Sequence, residues 1–164
     1  MFSYKFDLKM DKSADIAVIE SFIEQMGLIA QGDGLPRIAG KILGLLLIET
    51  EPFSFSEIAK RLAVSRASVS TNTRLLENLR VIERVSKLGQ RNDFFQLAKD
   101  PYAKLLEGVT LRMEKSIEIL QSTRNLIPQQ NTESAARLLE LENFYAEYLI
   151  SNNMLIDKLK QSKK

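Results

Sequence analysis

The sequence predicts a mainly α-helical fold with a small β-hairpin and long helices towards both termini. Only seven glycines and four prolines occur among 164 residues, well below the roughly 12 per cent that these two residue types occupy in average proteins. Apolar residues recur at helical spacing along most of the chain and alternate over one short stretch. With 45% hydrophobic and 27% charged residues, the chain has the composition of a globular protein with a packed core.

Two helices are predicted at the start of the chain. Ser13 has the residue type and position of an N-cap for a helix over residues 14–31. A proline then begins a second helix over residues 36–50, which is apolar on most sides and is therefore expected to be buried. Gly40 and Gly44 lie four residues apart on this helix and favour close packing against another helix.

A pair of shorter helices follows. Ser54 and Glu57 have the spacing of a capping box at the start of a helix over residues 56–63. Ser65 is the expected cap of the next helix, which extends to about residue 79.

The hydrophobic period then changes from 3.6 to 2. Residues 81–87 and 93–98 are predicted to be two strands of a hairpin, and the turn between them contains Gly89. Asp100 and a following proline start a long helix that ends near Ile127.

Thr132 starts a last helix that almost reaches the C-terminus. We therefore divide the chain into three regions, namely N-terminal helices for dimerisation or support, a middle region with the helix pair and hairpin, and C-terminal helices for dimerisation, at residues 1–50, 51–99 and 100–164.

The sequence contains neither cysteine nor histidine. Disulfides, thiol nucleophiles, imidazole bases and the usual zinc ligands are therefore excluded, and we expect neither catalysis nor a cofactor or metal. Glu114 and Glu118, four residues apart on one helix, are the carboxylate pair that an enzyme would need, but a solvated helix face explains them more simply. The longest apolar run, residues 42–48, is too short to cross a bilayer, and residues 1–12 lack a signal-peptide core, so the expected location is the cytoplasm.

Basic residues are concentrated between Lys60 and Arg91. Eight basic residues stand there against Glu77 and Glu83, which gives this stretch a net charge of +6 in a chain whose total is +2. A basic segment within an otherwise acidic chain indicates a polyanionic partner, although a solvated helix face would also accommodate some of these charges.

A short helix, a tight turn, a second helix and a basic hairpin form the pattern of a winged helix-turn-helix. Small, hydroxyl and arginine side chains at the start and on the outer face of the second helix suit contacts in a DNA major groove. The hairpin tip, or wing, suits the minor groove. The expected DNA-binding residues are Ser65, Arg66, Ser68, Ser70, Thr71 and Arg74 on the helix and Lys87, Gln90 and Arg91 on the wing. The alternative interpretation is that this helix face and this turn are exposed to solvent and do not contact DNA.

Three segments resemble the MarR superfamily of bacterial transcription regulators, in its GbsR-like branch: GLPRIAGKILG, VSRASVSTNTR and GQRNDFF, which begin at residues 34, 64 and 89. The resemblance implies a homodimeric DNA-binding regulator with terminal dimerisation helices, a recognition helix over residues 65–74 and Arg91 as the wing arginine. The chain departs from the family at residues 79–81, where a glycine is usual, and at Gln90, where an acidic residue is common. Asn72 matches a family position, but helical phase turns it inwards.

Arg37 in the first turn of the second helix has two interpretations. The free backbone amides there would help it to hold a DNA phosphate. Pairing with an acidic neighbour is an equally good explanation.

The last helix carries an apolar seam at alternating steps of three and four residues, which indicates a coiled-coil dimer interface with one polar position. Its members are Leu138, Leu141, Tyr145, Tyr148, Asn152, Leu155 and Leu159. Phe144 completes an aromatic cluster that would suit a cationic ligand, but core or dimer packing is the more ordinary role for such a stripe.

We therefore predict a homodimeric, sequence-specific regulator of double-stranded DNA, a repressor at a palindromic operator, with a small-molecule effector of unknown identity. The alternative is a winged helix used only for protein–protein interaction, which would be expected to lack the outer-face arginines and the basic wing.

Overall fold

A computed structural model describes residues 12–128 and 131–161, with side chains from residue 16 onwards. The chain forms two compact units. The first comprises the residues up to Asn78 together with Ile82–Leu97, and the second comprises Leu79–Val81 together with the residues from Ala98 onwards. The first two helices therefore belong to the same compact unit as the helix pair and hairpin.

The first unit begins with two closely packed helices, α1 (Lys12–Gly32) and α2 (Arg37–Ile48). Helix α1 starts before Ser13, whose side chain lies outside the described residues, so Ser13 is not the residue that precedes the helix. The two helices meet at Gly40, where an added Cβ would lie 2.9 Å from the Gly27 Cα and would overlap the Met26 carbonyl oxygen. The expected close packing at Gly40 is thus confirmed.

The helix pair consists of α3 (Phe55–Leu62) and α4 (Arg66–Asn78). Helix α3 has the predicted capping box: the Glu57 amide donates to Ser54 Oγ at 3.3 Å, and the Ser54 amide donates to Glu57 Oε2 at 2.7 Å. The hydrogen bond from the Ser54 backbone amide, and then the interaction with the Ser54 side chain, lower the pKa of Glu57. Ala63 then takes a left-handed conformation with φ 52°, which ends α3 and turns the chain into α4.

A three-stranded antiparallel sheet completes the unit. The hairpin pairs β2 (Ile82–Ser86) with β3 (Asp93–Leu97), as predicted within one or two residues at each end. A third strand, β1 (Phe53–Ser54), pairs with the other edge of β3, and the sequence pattern does not predict it. It adds an aromatic contact, because the Phe55 ring that follows it packs edge-on against Phe95 with 4.7 Å between centroids.

The core of the first unit joins all its layers. Large side chains that are almost completely buried come from α2, α3, α4 and β3. They are Ile42, Leu45, Ile58, Val69, Leu76 and Phe95. Ile58, Val69 and Leu76 thus hold the helix pair to the core, and the outer face of α4 remains available for another role.

The second unit is a pair of long helices, α5 (Pro101–Leu126) and α6 (Thr132–Gln161). Asn152 of α6 is buried and donates through Nδ2 to the Leu106 carbonyl oxygen at 2.9 Å and to Thr110 Oγ1 at 2.8 Å. This corrects the prediction of Asn152 as the polar position of an intermolecular seam, because its amide is used within the chain. None of the helices in the described ranges is both long and apolar enough to cross a lipid bilayer.

At residues 79–81 the chain lacks the glycine that is usual in the MarR superfamily. Arg80 takes a left-handed conformation with φ 62°, a conformation that glycine adopts without steric cost. The amide of Ala98 donates to the carbonyl oxygen of Val81 at 3.0 Å, directly after the Ile82–Leu97 pair of the hairpin. The strands form their full register although the glycine is missing.

Candidate nucleic-acid interface

Helix α4 presents one polar face and buries the other. Val69, Asn72, Thr73 and Leu76 are buried. The opposite face is exposed or half-buried and carries Arg66, Ala67, Ser68, Ser70, Thr71 and Arg74. The structure therefore brings the predicted recognition residues together on one side, and small side chains between two arginines would let the helix backbone approach a groove closely.

Two serines at the start of α4 bond to each other. Ser65 Oγ accepts from the Ser68 amide at 3.1 Å, which is the predicted N-cap, and it donates to Ser68 Oγ at the same distance. The Ser65 hydroxyl is thus committed within the protein. The Ser68 hydroxyl makes only one of these two hydrogen bonds, so Ser68 is the better placed of the two to contact DNA.

Asn72 and Thr73 support the helix from its buried side. Asn72 Nδ2 donates to the Ser68 carbonyl oxygen at 2.7 Å, and Thr73 Oγ1 donates to the Val69 carbonyl oxygen at 2.9 Å. Asn72 is therefore a structural contact, as its helical phase predicts. Its Oδ1 is buried without a hydrogen-bond partner in the described part of the chain.

The wing tip is a tight turn in which Gly89 has φ 79°. The Gln90 amide donates to the Lys87 carbonyl oxygen at 3.0 Å, which makes Gly89 the third residue of a type II turn and explains the need for glycine there. Gln90 and Arg91 are exposed. Lys87 differs from them, because its Nζ lies 4.7 Å from the Phe94 ring centroid and 4.0 Å from Glu51 Oε2.

Some basic residues between Lys60 and Arg91 form ion pairs with acidic side chains of the chain. Arg84 pairs with Glu77 and Asp93, and Arg61 lies 3.6 Å from Glu20. No ion pair forms within residues 16–128 or 131–161 for five other basic residues of this stretch. These unpaired cations are Lys60, Arg66, Arg74, Arg80 and Arg91, and they are the positive charges best able to neutralise phosphates.

Arg37 is paired with an acidic neighbour, the alternative that the sequence leaves open. Its Nη2 lies 2.8 Å from Glu24 Oε2, and Lys41 Nζ bonds the other oxygen of the same carboxylate. The hydrogen bond from Lys41, and then the one from Arg37, lower the pKa of Glu24. A phosphate contact by Arg37 would have to compete with this carboxylate.

The predicted dimer residues on α6 fall into two rows. Leu138, Tyr145 and Leu159 are half-buried, whereas Leu141, Tyr148 and Leu155 are exposed. We define the α6 stripe as these exposed apolar residues on one side of the helix: Leu141, Phe144, Tyr148 and Leu155. Phe144 lies 5.7 Å from Tyr145 and 6.4 Å from Tyr148 between ring centroids, so the predicted aromatic cluster is present.

Sequence reasoning misses the role of Arg84. The sequence identifies this side chain only as part of the basic stretch, but in the structure it joins α4 to both hairpin strands. Its position opposite Phe95 in the hairpin register is readable from the alternating pattern. Its two acidic partners are not, since they lie seven and nine residues away on other elements.

No family model matches the chain. It is 40% identical over 86 residues to the HTH-type transcriptional regulator MmpR5 of Mycobacterium tuberculosis, a match that covers 52% of each protein. The chain thus spans about half the length of that relative. Similarity to the HTH-type transcriptional repressor OpcR of Bacillus subtilis is weaker but longer, with 23% identity over 96% of this chain and 80% of OpcR.

A solved structure has a similar fold over most of both chains. It is described as the crystal structure of a transcriptional regulator, shares 28% sequence identity, and superposes with a TM-score of 0.81 over 88% of this chain and 99% of the other. These similar proteins are named as regulators and not as enzymes. The fold described above is that of a winged-helix transcription regulator.

Proposed function

We propose that this chain is a sequence-specific DNA-binding transcription regulator that acts as a homodimer. The observation that carries the proposal is the outer face of α4, where Arg66 and Arg74 are exposed, lack an ion pair in the described chain, and flank small polar side chains. A helix face that only met solvent would gain from acidic partners for these arginines. The names of the similar proteins support the same function.

In this proposal, helix α4 and the wing contact different grooves of the DNA. Arg66 in the first turn of α4 reads a base edge in the major groove, where a guanidinium can make two parallel bonds to guanine. Arg91 at the wing tip enters the minor groove, whose negative potential attracts it with little preference for sequence. Ser68, Ser70, Thr71 and Arg74 contact bases or phosphates beside Arg66, and Lys87 and Gln90 support the wing contact.

The homodimer is proposed from the α6 stripe. Exposed apolar side chains of this size on one helix face are covered in most proteins, and a second copy would bury them. Two linked winged helices would then occupy two half-sites about one helical turn apart on a palindromic operator.

Further details belong to the proposal alone. We place the chain in the GbsR-like branch because of the three resembling segments, in the cytoplasm because its partner is DNA, and among repressors because the longer of the two matches is to a repressor. The small-molecule effector stays a prediction. Release of a bound duplex on addition of a compound is its test.

Selection of duplexes from a random-sequence pool by the full chain tests DNA recognition directly. We expect enrichment of a palindromic sequence. Affinity for it should fall with rising salt, with a log–log slope of several units, because several phosphates lose their counterions on binding. An unenriched pool and a flat salt response would together refute the proposal.

Two arginine variants test the division of tasks. Arg66→Ala should cost about 1–3 kcal/mol on the selected duplex and relax its sequence preference. Arg91→Ala should weaken selected and random duplexes more evenly. Arg112→Ala, at an exposed position of the second unit, is the control and should change neither. Equal ratios of specific to random affinity in the parent and both variants would contradict the assignment.

A further inference from the structure

Arg84 on β2 holds three structural elements of the first unit at once. Its guanidinium contacts Glu77 with two nearly parallel bonds, Nε to Oε1 at 3.3 Å and Nη2 to Oε2 at 3.2 Å. The remaining nitrogen, Nη1, donates to Asp93 Oδ2 at 3.1 Å. The Arg84 Cζ also lies 5.6 Å from the centroid of the buried Phe95 ring, directly opposite on β3.

The partners of Arg84 belong to the two elements that the proposed function assigns to different grooves. Glu77 lies in the last turn of α4, the recognition helix. Asp93 is the first residue of β3 and follows the wing tip, two positions after Arg91. A planar guanidinium that bonds both carboxylates therefore fixes the distance between the C-terminal turn of α4 and the start of β3.

We propose that Arg84 is a positioning residue that sets the wing relative to the recognition helix, so that both grooves are contacted together. This inference rests on the proposed DNA-binding function. Arg84 is half-exposed and lies in the basic stretch, so a direct phosphate contact is the simpler interpretation of its sequence position. The structure favours positioning, because all three guanidinium nitrogens already bond carboxylates of the chain.

The hydrogen bond to Glu77 raises the pKa of Arg84 above its already high ordinary value, with Asp93 adding to the effect. The side chain is therefore charged throughout the physiological pH range. Its contribution to positioning should not vary with pH in the physiological range.

A double-mutant cycle separates positioning from direct contact. The first arm is Arg84→Met/Glu77→Gln, which removes one charge of each sign and leaves the local net charge unchanged. The second arm is Arg91→Ala. The probe is the duplex that the parent chain selects from a random pool, and circular dichroism confirms that each variant is folded.

We expect Arg91→Ala to lower affinity about tenfold in the parent and less than about threefold in the Arg84→Met/Glu77→Gln background, since a misplaced wing has little contact left to lose. The matched control is Arg61→Met/Glu20→Gln, another charge-neutral ion-pair removal in the same unit. There the tenfold effect of Arg91→Ala should persist.

Three results would overturn the inference: an undiminished Arg91→Ala effect in the Arg84→Met/Glu77→Gln background, an equal reduction in the control pair, or no Arg91→Ala effect in the parent. If the double variant does not fold, Arg84→Lys replaces it. This variant keeps the charge but cannot reproduce the planar fork, so a full Arg91→Ala effect in it would also refute positioning. Failure of the parent to select any duplex would instead refute the proposed function.

Discussion

The two compact units of this chain differ in where their apolar side chains lie. The first unit buries large side chains from four of its elements, with Ile42, Leu45, Ile58 and Phe95 almost fully inaccessible. In the second unit, the 26 residues of α5 and the 30 residues of α6 contribute only three buried positions, among the residues described. These are Ala103, Asn152 and Ile156.

This difference indicates different roles for the two surfaces. The first unit has a core drawn from several elements, although it also exposes Leu28, Ile29 and Ile48 among its apolar residues. Its unpaired cations lie on the surface and are free to serve recognition. The second unit exposes apolar residues that its own core does not use, namely the α6 stripe. We infer that one unit is built to meet DNA and the other to meet a second copy of the chain.

The largest effect is expected from a substitution that disrupts the proposed dimer contact of the second unit. Leu155→Glu places a charge on the α6 stripe, where the side chain is 47% exposed. We expect loss of the dimer and a fall of about a hundredfold or more in affinity for a two-half-site duplex, because the linkage between the two winged helices disappears.

Ile150→Glu is the matched control for this change. Ile150 is 57% exposed and lies five positions away, about 140° around α6 from Leu155 at the helical repeat. It should leave both dimerisation and duplex affinity unchanged, as measured by light scattering and fluorescence anisotropy. Equal behaviour of the two variants would show that the stripe has no special role.

A second prediction concerns the packing of α1 against α2 in the first unit. Gly40→Ala should destabilise it by about 1–3 kcal/mol, because the new Cβ would overlap Met26 and Ala30 of α1. Gly32→Ala is the control, since nothing lies within 4 Å of the position that a Cβ would occupy there, at the end of α1. Thermal unfolding should show a lower Tm for the first variant and an unchanged or higher Tm for the second.

The sequence predicts this unit well because its signals are local. Capping residues, prolines and the change of period indicate helix and strand bounds within a few residues, as at Ser54, Glu57 and Ser65. The missed strand β1 has two residues and forms only by pairing with the distant β3, where Phe53 lies opposite Phe95. No alternating pattern can be recognised in so short a segment.

An effect of similar size is expected in the interior of the second unit. Asn152→Ala removes the hydrogen bonds to Leu106 and Thr110 and leaves those partly buried acceptors without this donor, at a cost of about 1–3 kcal/mol in stability. Hydrogen exchange of α5 and α6 should increase. Sedimentation should still show the parent oligomer, and a change of oligomeric state with unaltered exchange would return Asn152 to the intermolecular seam.

The misassignment of Asn152 has a physical explanation. Two heptad patterns can be drawn on α6, and both contain residues 138, 145, 152 and 159. They differ in the residue taken between these positions, which is one place earlier in one pattern than in the other. The pattern that meets α5 continues through Glu142 and Ile156, whereas the α6 stripe continues through Leu141 and Leu155. Periodicity alone identifies a seam but not the helix that covers it.

The smallest expected effect is a difference between the two units in how their stability depends on pH. The pKa of Glu24 in the first unit is lowered, so its ion pairs contribute stability above its ordinary value of 4.5, and that contribution is lost as the pH falls through the lowered pKa. Lys160 in the second unit has a raised pKa owing to its hydrogen bond with Glu107, so its contribution is lost only as the pH rises above 10.5.

Acidification from about pH 6 to about pH 3 should therefore lower the hydrogen-exchange protection factors of α1 and α2, which are corrected for the slower intrinsic exchange at low pH, partly through Glu24. Glu24→Gln should make that acid response shallower without changing the alkaline response of α5 and α6. An unchanged acid response in the variant would show that the Glu24 ion pairs do not stabilise the first unit.

Sedimentation of the full chain, alone and with the selected two-half-site duplex, tests most directly the claim that one unit binds DNA and the other pairs two copies. We predict a dimer at micromolar concentration and two chains on each duplex. A stable monomer that still binds the two-half-site duplex tightly would contradict the account.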